Sequence, residues 1–268
     1  MFRINFNLKE ADKIIPWGSG KSPVLHWFGL TDGLLWINVN ESVIYEYSDT
    51  AVAVYDGCSR YNEYQLARFL EDFSEIFINI RESVPLELYE AAERFFKITD
   101  GWKSMYIDKP DEIFDNFYDN KYCPITEWLD LRTINSGHLI GGPNIRFIRC
   151  GDMLKIIWDG RYMLENGDSL WKYPCGAYEM KYDDFASEAN RFFTAFFEAM
   201  DRQVRFSCEK DWGTVQLDKK RLAEENIQRR LCFEQCLSYL EDDVQTSDWD
   251  SILSLFADIC NETGGVCR

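Results

Sequence analysis

Residues 182–200, YDDFASEANRFFTAFFEAM, carry the pattern from which the fold class is read. Tyr182, Phe185, Ala189, Phe192, Phe193, Phe196 and Met200 recur at intervals of three and four, which places them on one face of an α-helix. A face with that much aromatic surface has to be covered, because an exposed Phe-rich stripe would drive aggregation. The flanking residues indicate what covers it. Upstream, apolar runs at 145–150 and 153–158 are separated by Gly151-Asp152, and shorter runs follow at 161–164, 169–173 and 177–181, so strands feed this helix. Downstream, short strands are expected at 203–208 and 213–217. Helices follow at 219–241 and 248–260, the second introduced by Thr246-Ser247-Asp248 as an N-cap.

The first half repeats this order. Strands are expected at 24–30, 34–39 and 43–47, with Asp32-Gly33 as a hairpin turn. A helix then spans 62–80, with Leu66, Phe69, Leu70, Phe73, Phe77 and Ile80 on one face. Another begins at Ser83-Val84-Pro85-Leu86 and stops at Asp100-Gly101. Leu34-Leu35-Trp36 matches Ile156-Ile157-Trp158 at an offset of 122, and Phe69, Phe73 and Phe77 match Phe192, Phe196 and Met200 at 123. A weak internal duplication with a groove between the halves would produce this spacing. Residues 103–144, with Pro110, Pro124, Pro143 and the Ser136–Gly142 loop, read as an irregular connector. The expected fold is α+β: two antiparallel sheet units, 1–102 and 145–268, each with a Phe-rich helix, and a helical C-terminal segment. The two units can pack as one globular domain.

Charge narrows the partners. The 46 acidic and 29 basic residues leave a net charge of −17, which disfavours nucleic-acid phosphate and anionic lipid. The nine cysteines are odd in number and lack a compact framework, so they read as reduced thiols without a structural disulfide. The opening MFRINFNLKEADKIIPWG lacks the apolar stretch of an export signal, and no run approaches the roughly 18 apolar residues of a membrane span. The expected location is the cytoplasm, without membrane contact.

Catalytic and cofactor signatures are sparse. Gly18-Ser19-Gly20-Lys21-Ser22 resembles the end of a phosphate loop, but Ile15 stands where that loop needs glycine, and no strand precedes it. Nucleophile-elbow, zinc-helix and dinucleotide fingerprints do not occur. The only histidines are His26 and His138, and Cys232 and Cys236 lie one helical turn apart without a C-x-x-C knuckle. Neither a metal nor a cofactor is expected. Asp32 and Asp152, each beside a glycine, suit turns better than acid–base chemistry.

Ile14-Ile15-Pro16-Trp17-Gly18, the run Leu25-His26-Trp27-Phe28-Gly29-Leu30-Thr31-Asp32-Gly33 and the following Leu34-Leu35-Trp36 together resemble the signature of an uncharacterised bacterial family of domains of unknown function. The resemblance implies a bacterial origin and supplies no catalytic residue.

What remains is surface. Asp108, Asp111, Glu112, Asp115 and Asp119 stand against Lys109 alone, with Phe114, Phe117 and Tyr118 interleaved. Glu241, Asp242, Asp243, Asp248 and Asp250 form a second cluster with no base among them. Carboxylates mixed with aromatics suit a basic protein partner. This pattern reads as a binding protein rather than an enzyme, specifically an immunity protein that neutralises a basic bacterial toxin domain. Two alternatives stay open: an enzyme of unrecognised type using His26 or a carboxylate pair in a cleft between the halves, and a regulatory or structural interaction protein.

Overall fold

Phe2, Ile4, Phe6 and Leu8 alternate with Arg3, Asn5 and Asn7, and this period of two makes strand β1 (Phe2–Leu8), which the sequence reading did not expect. The computed structural model describes residues 1–18, 22–55 and 58–264, apart from the side chains of Phe96 and Lys97; Ser19–Lys21 of the phosphate-loop-like run lie outside it. In it β1 pairs antiparallel with β2 (Asp32–Val39), and β3 (Ser42–Ile44) and β4 (Asn62–Gln65) share the other edge of β2. Asp32-Gly33 therefore opens β2 instead of turning a hairpin. A Cβ on Gly33 would stand 2.5 Å from the Asn7 carbonyl oxygen, so glycine is required by the close approach of β1. Residues 24–30 are not a strand: they lead into the 3-10 turn Gly29–Thr31, and Val24 makes isolated bridges to Trp17 and Gln216.

Between β3 and β4 lies α1 (Asp49–Val54), capped by Ser48. β4 runs without a loop into α2 (Leu66–Glu75), which breaks at Ile76 before α3 (Phe77–Ile80). Then come α4 (Leu86–Ala91) and α5 (Phe95–Ser104), which continues through Gly101 instead of stopping there. The stretch expected to be an irregular connector is largely helical: α6 (Asp111–Phe117), a π-helical turn (Tyr118–Tyr122), α7 (Cys123–Asp130) and the short β5 (Thr133–Ile134). Pro110 caps α6 and Pro124 lies in the first turn of α7. A missing N–H breaks nothing at those positions, so these prolines begin helices.

β5, β6 (Asn144–Cys150), β7 (Met153–Asp159) and β8 (Cys175–Lys181) form a second antiparallel four-stranded sheet in that order. Residues 161–164 and 169–173 form no strand, only the isolated bridges Met163↔Ser169 and Tyr47↔Trp171. β8 passes straight into α8 (Tyr182–Glu209), which absorbs the strand expected at 203–208; of the strand at 213–217 only a bridge from Gln216 to Val24 forms. The chain continues through α9 (Lys219–Ser238) to α10 (Trp249–Glu262), whose N-cap is Asp248, as expected, accepting from Ser251 N–H at 3.2 Å. The architecture is α+β with a helical C-terminal segment.

The two halves share connectivity. In each, a central strand (β2, β7) pairs with an antiparallel neighbour (β4, β8) that leads directly into a Phe-rich helix (α2, α8). The strand–helix junctions are 116 residues apart, not 123. The difference of seven is about two helical turns, so apolar faces still superpose in a sequence comparison made at the wrong register.

One apolar core runs through both halves and includes Ile4, Leu35 and Phe73 with Phe147, Ile156 and Phe196. Phe73 and Phe196 are fully buried. α8 packs on β1 and also on β7 and β8, and α9 lies over α8 and α2. The other face of β6 and β7, through Ile148 and Ile157, joins a second core with α4, α5, α7 and α10. Among the described residues, no helix is long and apolar enough to cross a membrane.

Candidate functional site

The corner made by α5 and α6 carries the first acidic cluster. Asp108, Asp111, Glu112, Asp115 and Asp119 are all exposed, and among the described residues none forms an ion pair. Asp111 and Glu112 occupy the first turn of α6, where the helix dipole favours negative charge. Met105, Ile107 and Ile113 accompany them, 47%, 59% and 50% exposed, so acids and uncovered apolar side chains share this surface. Phe117 does not belong to it. It is buried between Trp102 and Tyr106, whose ring stacks on it at 3.8 Å. Tyr118 is half-buried, stacked on Phe114, with the Lys103 ammonium 5.5 Å from its ring centre.

The second cluster is largely engaged within the fold. Asp242 pairs with Arg81 at 2.8 Å, and Asp243 lies 3.7 Å from Arg149, bases that arrive from distant elements. Asp248 is the α10 cap, and its bonds from Ser251 hold its carboxyl below the usual carboxylate range. Glu241 is exposed at the end of a 3-10 turn.

His26 is structural. Its Nδ1 accepts from Gly29 N–H at 3.2 Å and its ring meets Trp17 edge-on at 4.5 Å, while burial lowers its pKa. The rest of that run is packed too: Trp27 is fully buried, donates to Asn226 at 2.9 Å and lies beneath the Arg229 guanidinium. Thr31 Oγ1 accepts from Ala67 N–H, tying the turn to the start of α2.

Sequence reasoning missed a groove of about 640 Å³ between α2 and α9. Its charges are mostly paired: Arg229 bridges Glu71 at 2.7 Å and Glu225 at 2.9 Å. Cys232 and Cys236 also line it, and burial pushes the Cys236 thiol up. No local signal marks this groove, because its walls lie about 150 residues apart. Among the described residues no group of three or more His, Cys, Asp and Glu is placed to hold a metal ion.

Cys260 is disulfide-bonded, so nine reduced thiols are not what the chain holds; Cys267 lies outside the described residues. One bond needs only two Cα atoms within about 7 Å and no framework of spacings. Asp72, on α2, is the most perturbed carboxylate. Its side chain is 13% exposed, Oδ1 pairs with Arg68 at 3.1 Å, and Oδ2 is buried without a donor. Burial pushes its carboxyl up to about 6 despite Arg68, with Glu75 and Glu71 adding to the rise.

That position above the unfolded value of about 3.9 means the folded chain holds the Asp72 proton more tightly. The resulting stability is present below pH 4 and is lost as pH rises through 6. Asp72→Asn is therefore expected to raise unfolding stability at pH 7.5 by up to about 2 kcal/mol and to change it little at pH 4. Urea unfolding at both pH values checks this, and an equal loss at both would contradict it.

The fold and its surfaces define an acidic α+β protein that presents uncovered carboxylates beside apolar side chains. The chain belongs to a family of unknown function, DUF5984, whose model matches residues 3–255. No curated protein and no solved structure matches it.

Proposed function

We propose that this protein binds a basic partner protein through the α5–α6 corner, and that the partner is a bacterial toxin domain held inactive in the cytoplasm. The observation that carries this reading is the set of five exposed, unpaired carboxylates beside Met105, Ile107 and Ile113. An apolar patch with a charged rim is how specific interfaces are built, and the unspent charge steers a basic partner inward. The net charge of −17 adds a long-range field of the same sign. The N-terminal Pro-Trp-Gly and Leu-His-Trp-Phe-Gly run supports a bacterial source by its resemblance. A regulatory protein would use the same surface with a different partner.

The test takes as partner a basic protein captured with the full chain from its source cells. Its association rate is expected to fall at least tenfold between about 50 and 500 mM salt, as the Debye length shrinks, while dissociation changes less. A change of threefold or less in association would remove the electrostatic basis of the reading.

A further inference from the structure

A cavity of about 250 Å³ opens on the side of α2 away from the α9 groove, between the two halves of the chain. α2 and α3 supply Arg68, Asp72, Glu75 and Asn79, the C-terminal end of α7 supplies Asp130, and Asn135 follows β5. Nothing in the acidic corner or the α2–α9 groove accounts for it. Its volume lies just below the range typical of drug-sized ligands, which suits a small metabolite.

The lining is mixed in charge and partly spent: Asp72 pairs with Arg68, and Asp130 feels the charge of the buried Arg146 guanidinium behind it. Asp72 keeps one buried oxygen without a donor. Among the described residues, Glu75 and Asp130 form no ion pair, and the side-chain amides of Asn79 and the Nδ2 of Asn135 have no hydrogen-bond partner. Arg68 gives Asp72 one nitrogen and is about half exposed, which leaves donors for an anion. Ile76 and Leu131 provide apolar wall. Asp72 is held at a cost in stability, as its raised pKa records, and costs of that kind collect at functional sites. A second such cost lies close by. Tyr45, whose phenol feels the Asp72 charge, has a left-handed backbone at φ 68° and bonds Ser136 through buried hydroxyls at 2.7 Å.

Donors for a carboxylate and acceptors for an ammonium in one cavity match a zwitterion. Three carboxylates against one guanidinium favour a ligand with an additional positive charge, and no metal-holding group occurs among the described residues. A phosphate would be repelled by the carboxylates, and a neutral sugar would draw no attraction from the exposed charges of Glu75 and Asp130. We infer that the cleft between α2 and the α7–β5 turn binds a free α-amino acid with a basic side chain, its carboxylate toward Arg68 and its ammonium groups toward Asp72, Asp130 and Glu75. This inference is independent of the partner-binding reading.

The experiment is calorimetric titration of the full chain with L-arginine, against NaCl of matched ionic strength. Two truncated probes accompany it: agmatine, which lacks the carboxylate, and Nα-acetyl-L-arginine, which lacks the α-ammonium. One saturable site for L-arginine is expected, with each truncated probe at least about tenfold weaker. Arg68→Gln and Asp130→Asn are expected to weaken L-arginine by at least about tenfold. Both residues are partly or wholly exposed, and thermal melting verifies that the variants fold. Glu112→Lys is expected to leave binding unchanged, which separates this site from the acidic corner. Absence of saturable binding up to about 10 mM, agmatine binding as tightly as L-arginine, or binding that survives both substitutions would each overturn the assignment.

Discussion

Glu82→Ala is expected to destabilise the protein by about 3–5 kcal/mol. Glu82 is 1% exposed and stands where three distant segments meet. Its Oε1 accepts from the backbone N–H of Thr246 and Ser247 at 2.6 and 2.7 Å, and its Oε2 takes the Ser247 hydroxyl and the Arg132 guanidinium at 2.6 and 2.7 Å. Arg132 is equally buried. It donates to the Trp128 carbonyl and lies over the Trp128 ring, and burial brings its pKa down to about 10 against the opposing pull of Glu82. Removing Glu82 leaves a buried cation without its counter-charge and two amides without acceptors, which is the costly way to break a buried pair. Glu82→Gln with Arg132→Met should lose less than the sum of the single changes, the sign of direct coupling. Amide exchange should speed first in α10, whose approach Glu82 fixes. A loss below about 1 kcal/mol in urea unfolding would show the hub to be redundant.

The second large effect is expected at Phe73. Its ring is fully buried within 6.4 Å of Phe69, Phe77, Phe147, Phe185, Phe192 and Phe193, and so touches both halves. Phe73→Ala should cost about 3–5 kcal/mol, because rings anchored on β6 and on the helices α2, α3 and α8 cannot close the void. Phe206→Ala, on the exposed end of α8 with 43% of the residue accessible, is the control and should cost under about 1 kcal/mol. Similar losses at both positions would mean that the two halves are not stabilised by a shared core.

The legible parts of the sequence were those whose partners are local or whose period is strong. α8, the β6–β7 hairpin and the Asp248 cap follow from spacing and capping chemistry alone. β1 also carries its period of two openly, but its partner begins 24 residues later, beyond Asp32-Gly33, whose local chemistry suggests a turn. In 103–144, short helices begun by prolines have too few turns to display periodicity. The acidic corner was legible because one continuous segment builds it. The pairing of Asp242 and Asp243 was not, since Arg81 and Arg149 come from other elements, and neither were the α2–α9 groove and the Asp72 cleft.

The most direct test of the binding account compares two triple charge reversals in affinity for the basic partner. Asp111→Lys/Glu112→Lys/Asp115→Lys changes unpaired surface carboxylates, two of them in the first turn of α6, so the protein should stay folded with a loss of no more than about 2 kcal/mol while affinity falls by more than about tenfold. Glu241→Lys/Asp242→Lys/Asp243→Lys strips Arg81 and Arg149 of their counter-charges, so stability should fall while affinity stays within about threefold. Affinity that survives the first reversal within threefold, with the partner bound and the protein folded, would contradict the assignment of the α5–α6 corner as the binding surface.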